Sequence, residues 1–375
     1  MQKKKRKGSL GQRIFKAAAI IIGAIIFVCA LYVAYVFMSY HRIEDNLDLA
    51  VMNQSGEEIQ DNITESAART GKEYSIVTYN VGFGAYTPDY SFFMDGGKSS
   101  WAKSEDSVKE TIDGCVKTLQ NLDPDISLVQ EIDLDATRSY HVRELDFFTR
   151  DLSYDNYVFA VNYDSPFLFY PLTQPHGKTL AGIGTFSKFP ITSAVRRSLP
   201  ISQSFSKFLD LDRCYSIVRI PVENGRELVV YNIHMSAYCN SDEVRKGQKL
   251  MLLQDMKEEV DAGNYVICGG DFNHDLVADD SVKDVVGWAY PFPRSYIPDG
   301  IHICLDYLTD EERDSLAPTC RSAETEMKPD MDTYMLDGFL ISDNVEQLSY
   351  ETVDTGFAFS DHNPVKLVFK LSEGS

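Results

Sequence analysis

Eight polar side chains recur at the ends of short apolar runs. Asn80 closes SIVTYN, Glu131 closes ISLVQE and His234 closes LVVYNIH. Asp271 and Asn273 follow YVICGG, Asp337 interrupts YMLDGFLI, and Asp361 and His362 follow FAFS. Each alone has an ordinary explanation: a carboxylate at a strand end forms turns or caps helices, and Asp361-His362-Asn363-Pro364 reads as a turn. As a set, carboxylates, amides and two histidines placed where buried scaffold meets solvent are what a divalent cation with flanking acid/base groups requires.

Other chemistries lose their support. Gly82-Phe83-Gly84 follows a strand-like run, but the third glycine of a dinucleotide loop is missing and the next helix starts about twenty residues later, which leaves a pyrophosphate no helix N-terminus. G-x-x-x-x-G-K-[ST], G-x-S-x-G and H-E-x-x-H are absent from the sequence, and nucleotide motors, serine hydrolases and zincins go with them. The cysteines include no C-x-x-C, against zinc ribbons and thioredoxin-like sites. Their wide spacing is unlike a dense disulfide scaffold. Cys115, Cys214 and Cys268 read as buried thiols, while Cys304 and Cys320 lie in a loop-like stretch where pairing stays open.

The elements that must position these residues are mostly short and β-rich. Strands are expected over Tyr74–Val81, Ile126–Ile132, Tyr157–Tyr163, Ile183–Ser187, Cys214–Val222, Leu228–Met235, Tyr265–Cys268, Leu336–Ile341, Val345–Val353 and Val365–Lys370. Helices are expected over Ser104–Asn121, with Val108, Ile112, Cys115, Val116 and Leu119 on one face, and over Asp242–Ala262, capped by Ser241 and stopped by Gly263. A third is expected over Arg138–Asp151. Many strands with few helices indicate an α+β sandwich rather than a βαβ repeat.

YNVG, LVQE, YNIHMSAY, GGDFNHD, LDGFLIS and SDHNPV, in this order, resemble the endonuclease/exonuclease/phosphatase superfamily, the proteins built like deoxyribonuclease I. Gly184–Ile191 is similar to that family's strand ending in a Ser-Lys/Arg-x-Pro-Ile turn, and the resemblance covers about residues 73–371. It implies a four-layer α/β/β/α sandwich and Mg²⁺-dependent phosphoester hydrolysis, with Mn²⁺ as a substitute. It also implies roles. Asn80, Glu131 and Asp361 would hold the metal, Asp361 also counting among the catalytic residues. His362 would pair with Asp337, Asp271 would orient or deprotonate water or protonate the leaving group, and Asn273 and His234 would hydrogen-bond the phosphoryl oxygens.

Substrate choice is less legible. Arg138, Arg143 and Lys178, between Glu131 and Gly182, are candidate phosphate contacts beside the reading of each as an ordinary surface base, and Arg321 is another. Asp164–Thr173, DSPFLFYPLT, reads first as core packing, with a lipid-facing or base-stacking loop as alternatives. The acid-rich stretch 306–332 reads as a solvated surface loop.

Charge divides the chain. The formal total is −20, but residues 1–16 carry seven bases and no acid, so the remainder stands at −27. So acidic a body does not hold polyanions by charge alone. Ala17–Met38 is 22 residues without a formal charge, and as a helix would span about 33 Å, enough for a bilayer core. It exceeds the usual signal-peptide apolar region and lacks a small-x-small cleavage site. The organisation expected is a basic cytoplasmic tail (1–16), a single transmembrane helix (17–38), a polar connector (39–72) read as a stalk, and a catalytic domain (73–375) outside the cytoplasmic membrane. The expected substrate is a lipid head group, another small phosphoester or, in a second reading, nucleic acid cut by an extracellular nuclease. A third reading is a non-catalytic binding domain of the same fold.

Overall fold

A computed structural model describes residues 10–59, 68–202, 211–237, 241–278 and 289–373. The chain divides into two units, Met1–His41 and Arg42–Ser375. The first is helix α1 (Leu10–Ser39), 30 residues whose most apolar 18-residue window has a mean hydropathy of 2.7. It is long and apolar enough to cross a membrane.

The second unit is built around two seven-stranded sheets. Along the chain its strands are β1 (Leu47–Asp48), β2 (Met52–Asn53), β3 (Glu73–Asn80), β4 (Ile126–Ala136), β5 (Asn156–Asp164), β6 (Thr179–Ser187), β7 (Ser193–Ser198) and β8 (Cys214–Pro221). They continue with β9 (Glu227–His234), β10 (Tyr265–Asp271), β11 (Ile301–Ile303), β12 (Cys320–Arg321), β13 (Thr333–Tyr334), β14 (Asp337–Ser342), β15 (Val345–Thr352) and β16 (Val365–Leu371). One sheet runs β1-β7-β8-β9-β10-β14-β11, the other β15-β16-β3-β4-β6-β5-β2, and β12 and β13 form a separate ribbon. Inward residues of both sheets, among them Leu128, Val230, Ile267, Phe339 and Leu367, form the main core. Gly269 lies where the sheets approach, because a Cβ there would stand 2.8 Å from Leu128 of the opposite sheet.

Helices cover the outer faces and complete four layers. In α2 (Glu105–Leu122), Ser104 caps the N-terminus by accepting from Ser107 N, and the apolar stripe packs with Val77, Tyr79 and Val129. Helix α3 (Leu145–Asp151) joins that layer through Phe148. On the other sheet α4 (Asp242–Asp261), capped by Ser241, buries Leu252, Leu253 and Met256. A short α5 (Asp310–Asp314) lies in the acid-rich stretch.

Four expectations change. The polar connector is not all stalk: β1 pairs with β7 and β2 with β5, so both belong to the sandwich edges. The helix expected from Arg138 starts only at Leu145, because Tyr140 and His141 take positive φ (56° and 61°), which interrupts a helix. The acid-rich stretch is no mere surface loop, since Thr319 and Arg321 are buried. Asp164–Thr173 does not pack into the core, for Phe169 and Tyr170 are exposed. Cys304 and Cys320 are separate, buried thiols. Strand β7 escapes sequence reading because Arg196 and Arg197 sit in its middle. Arg196 points inward and donates to the carbonyls of Val161, Glu44 and Asp212 and to Ser198 Oγ.

Candidate active site

The eight residues singled out by type and spacing converge at one end of the sandwich, and they come from both sheets. Asn80 ends β3 and Glu131 lies in β4; His234 ends β9, Asp271 ends β10 and Asp337 begins β14. Asp271 and Asp337 are direct register partners, so two carboxylates stand side by side on adjacent strands. Asn273 follows β10, and Asp361 and His362 precede β16.

Local backbone places several of them. Gly270 (φ 147°) lets β10 approach β9, since a Cβ there would meet Ile233 O at 2.1 Å. At Asn273 φ is 48°, and its N–H donates to Asp271 Oδ1 at 2.8 Å. Glu131 has φ 59° and sits where the β4–β6 register shifts between Val129 and Ile132. The bulge turns this one carboxylate out of the sheet's alternation. A buried network stands beneath it: Asp133 binds Arg138 Nε at 3.1 Å and Nη2 at 2.9 Å, accepts from Ser139 Oγ, and is held by Glu144 through its own N–H.

The hydrogen bonds cross between sheets. Asn80 Nδ2 donates to Asp271 Oδ2 at 3.0 Å and to Glu131 Oε1 at 3.2 Å. His362 Nδ1 lies 2.7 Å from Asp337 Oδ2, and its Nε2 lies 3.9 Å from Asp271 Oδ2. His234 Nε2 stands 3.6 Å from Asp271 Oδ2 and 3.7 Å from Glu131 Oε1. Asn273 Nδ2 donates to Met235 O at 2.8 Å, which fixes the amide plane and leaves its second N–H for another acceptor. Deeper between the sheets, Gln130 Nε2 donates to Asn232 Oδ1 at 2.7 Å.

Burial sets the protonation states. Burial, then Asp337, pushes the Asp271 carboxyl up to about 6. Burial also raises Asp337, opposed by His362. Burial alone would lower His362, but the Asp337 carboxylate against its ring holds it well above the ordinary histidine value. Burial, with Arg213 next, keeps His234 well below it. The two histidines are therefore an imidazolium and a neutral imidazole at neutral pH.

The donor set fits a hard divalent cation. Glu131, Asp361 and Asp95 share one field: Asp95 is pushed up to about 7 by burial, then by Asp361 and Glu131, while burial raises Asp361, with Glu131 adding to it. Asp95 and Asp361, both raised, beside the Glu131 carboxylate and an amide oxygen make an oxygen-rich site of the kind Mg²⁺ relieves. The tightest His/carboxylate group among the described residues is Asp271, Asp337 and His362, whose ligand atoms lie within 4.8 Å of one another. There the 2.7 Å His362–Asp337 contact already accounts for the proximity, while Asn80, Glu131 and Asp361 would offer a cation oxygen donors alone.

The basic candidates fare differently. Arg138 is buried on Asp133 and under the Phe83 ring, Arg143 is exposed and paired with Asp146, and Lys178 is exposed just before β6. None of the three stands out as a phosphate contact. Arg321 clamps the carbonyls of Tyr86 and Thr87. Sequence reasoning missed Arg213. It is buried just before β8, its charge is felt at His234, and among the described residues its Nε and Nη1 have no partner. A buried guanidinium with unfilled donors beside the site suits an anionic substrate oxygen. Arg213→Met is expected to raise KM about tenfold or more while changing kcat less, measured by steady-state kinetics.

Comparison with known proteins agrees with this geometry. The family model described as Endonuclease/Exonuclease/phosphatase family matches residues 77–362. No curated protein gives a match. Among solved structures, an endonuclease/exonuclease/phosphatase from Beutenbergia cavernae superposes with a TM-score of 0.57 at 16% identity, covering 80% of this chain and 72% of that one. TDP2 from D. rerio, solved with a single strand DNA product, gives 0.52 at 16% identity over 80% and 99%. A family protein from Leptotrichia buccalis gives 0.50 at 16% identity over 80% and 100%. The family match runs from within β3 to His362 and so takes in all eight converging residues: the chain belongs to the endonuclease/exonuclease/phosphatase family.

Proposed function

We propose that the chain is a membrane-anchored, Mg²⁺-dependent phosphoester hydrolase whose catalytic body lies outside the cytoplasmic membrane. The observation that carries the catalytic reading is the cross-sheet arrangement in which the His362–Asp337 pair faces Asp271 while Asn80 bridges Asp271 and Glu131. When bound, the cation supplies charge neutralisation for the phosphoryl and leaving oxygens. The rest of the work belongs to side chains. Asp271, ionised at neutral pH, accepts a proton from the attacking water. His362, charged and oriented by Asp337, donates from Nε2 to a phosphoryl oxygen. The free N–H of Asn273 and neutral His234 add hydrogen bonds, and Arg213 holds a non-bridging oxygen.

Anchoring rests on α1 and the seven bases within residues 1–16, whose placement ahead of an apolar span keeps the N-terminus cytoplasmic. The reading is tested by assaying the full chain in detergent or nanodiscs against phosphodiesters, phosphomonoesters, phospholipids, DNA and RNA, with and without Mg²⁺ and after chelation. Chelation is expected to abolish activity and Mg²⁺ or Mn²⁺ to restore it; turnover indifferent to chelation would sink the metal assignment. Glu131→Gln is expected to weaken Mg²⁺ binding about 10- to 100-fold, read by calorimetry and by the Mg²⁺ dependence of activity. The nuclease reading draws on the D. rerio relative solved with single strand DNA product. The −27 of residues 17–375 weighs against it, because avid nucleic-acid binding rests on cationic contacts.

A further inference from the structure

The strand register shows where the chain joins the sandwich. β1 is antiparallel to β7, with Leu47 opposite Arg196 and Asp48 opposite Val195, so β1 begins beside the last residues of β7. β7 runs antiparallel to β8, β8 to β9, and β9 lies parallel to β10. Ser198, Cys214, His234 and Asp271 therefore lie at one end, the end that carries the site. The segment after α1 is fastened there. Arg42 Nη2 donates to Leu199 O at 2.6 Å, Ile43 N to Asp212 Oδ2 at 2.5 Å, and Asp45 Oδ1 accepts from Ser198 N at 2.8 Å. Helix α1 ends at Ser39. Three Cα steps from there to Arg42 reach at most about 11 Å. Only Tyr40 and His41 thus separate the last residue of α1 from the first residue fastened to the site-bearing end.

An apolar surface lies at that same end. β4 is parallel to β3 and antiparallel to β6, and β6 is antiparallel to β5, so the β5–β6 connection emerges at the end where Asn80 stands. From Ser165 to Gly177 this connection has no Asp, Glu, Lys or Arg. Leu172 is 85% exposed, Tyr170 70% and Phe169 51%, with Met94 at 52% on the adjoining segment. The loop is held in place: Trp101 Nε1 donates to Pro175 O, Ser100 Oγ to Gln174 O, and Phe93 meets Tyr170 at 5.8 Å between ring centroids. Phe93 is two residues from Asp95, which feels the charges of Glu131 and Asp361. A fixed, uncharged, aromatic rim at the end of the sandwich that carries the site, the same end to which the segment following α1 is fastened, suits the boundary between head groups and acyl chains, where aromatic side chains partition. The acidic body disfavours an anionic surface, which leaves a zwitterionic one.

We infer that the 165–176 loop, with Met94, seats in a zwitterionic lipid surface and that the bond cleaved is a phosphoester of a lipid head group. The second half of this inference rests on the hydrolase reading above; the first does not. In the full chain with Cys29 and Cys239 replaced by Ser, Leu172→Cys is labelled with an environment-sensitive fluorophore and reconstituted in phosphatidylcholine nanodiscs. The expected result is blue-shifted emission quenched by doxyl-labelled phosphatidylcholine, against aqueous emission from the same label on Asp261→Cys at the opposite end. Aqueous emission from the Leu172→Cys label would overturn the docking. In the second arm, Phe169→Ser/Tyr170→Ser/Leu172→Ser is expected to lower the ratio of phosphatidylcholine or sphingomyelin turnover to bis(p-nitrophenyl) phosphate turnover about tenfold. An unchanged ratio, or a parallel loss on single-stranded DNA, would overturn the lipid substrate. A buried label on a chain that hydrolyses no phosphoester would support the lipid contact and refute the hydrolase.

Discussion

His362→Ala is expected to lower kcat by about 10³- to 10⁴-fold on the true substrate, with the fold retained. The size follows from two functions lost together. The Nε2 side of the ring is turned toward Asp271, and the Nδ1 side is held by Asp337 at 2.7 Å, so one substitution removes both the donor and the cation that balances two adjacent carboxylates. Folding survives because Asp337 need not stay a bare buried charge: burial already raises its carboxyl, and loss of the imidazolium that opposes this shifts it further toward the neutral form. Circular dichroism and the thermal midpoint check the fold, and single-turnover kinetics the chemistry. Turnover near wild type would remove His362 from the mechanism.

Asp271→Asn is expected to lower kcat by about 10²- to 10⁴-fold while gaining stability relative to wild type as pH rises toward 7. The amide keeps the shape but can accept from only one of the two donors, Asn80 Nδ2 and Asn273 N–H, that the carboxylate serves, and it cannot take a proton. The wild-type carboxyl is pushed up to about 6, first by burial and then by Asp337. A carboxyl raised in the folded state makes the fold less stable as pH climbs from the unfolded carboxylate range to that value. The stability of Asp271→Asn relative to wild type should therefore climb between about pH 4 and about pH 6 and be level on either side, read by denaturant titration at several pH values. Wild-type activity should fall as pH drops through about 6. If Asp271→Asn keeps near-wild-type turnover, Asp271 is not the base.

Much of the site was legible because its residues end runs of β-forming sequence. Asn80, His234 and Asp271 are each the last residue of a strand, and alternating or fully apolar runs mark such ends well. What stayed hidden depends on backbone irregularity or on the destination of a long side chain. Nothing in ISLVQEIDLDA announces the bulge that gives Glu131 its positive φ. Arg138, Arg196, Arg213 and Arg321 all look like surface bases in sequence, yet all four are buried, three of them holding carboxylates or carbonyls, while Arg213 leaves two donors unfilled among the described residues. Burial of a guanidinium needs partners distant in sequence, so local pattern cannot show it. The aromatic loop misled in the opposite direction, since apolar composition does not say whether a segment faces a core or a boundary.

The split of the site between two sheets has a mechanical consequence. Asn80, Glu131 and His362 ride on one plate, and His234, Asp271 and Asp337 on the other. The gap between donor and acceptor is thus a spacing between plates, set by Leu128, Val230, Phe339 and their neighbours and pinned by the Gln130–Asn232 stitch. Apolar residues that never meet substrate act as shims for the reaction coordinate. Catalytic rate becomes a gauge of sheet separation, able to register a swelling of the sandwich well short of unfolding.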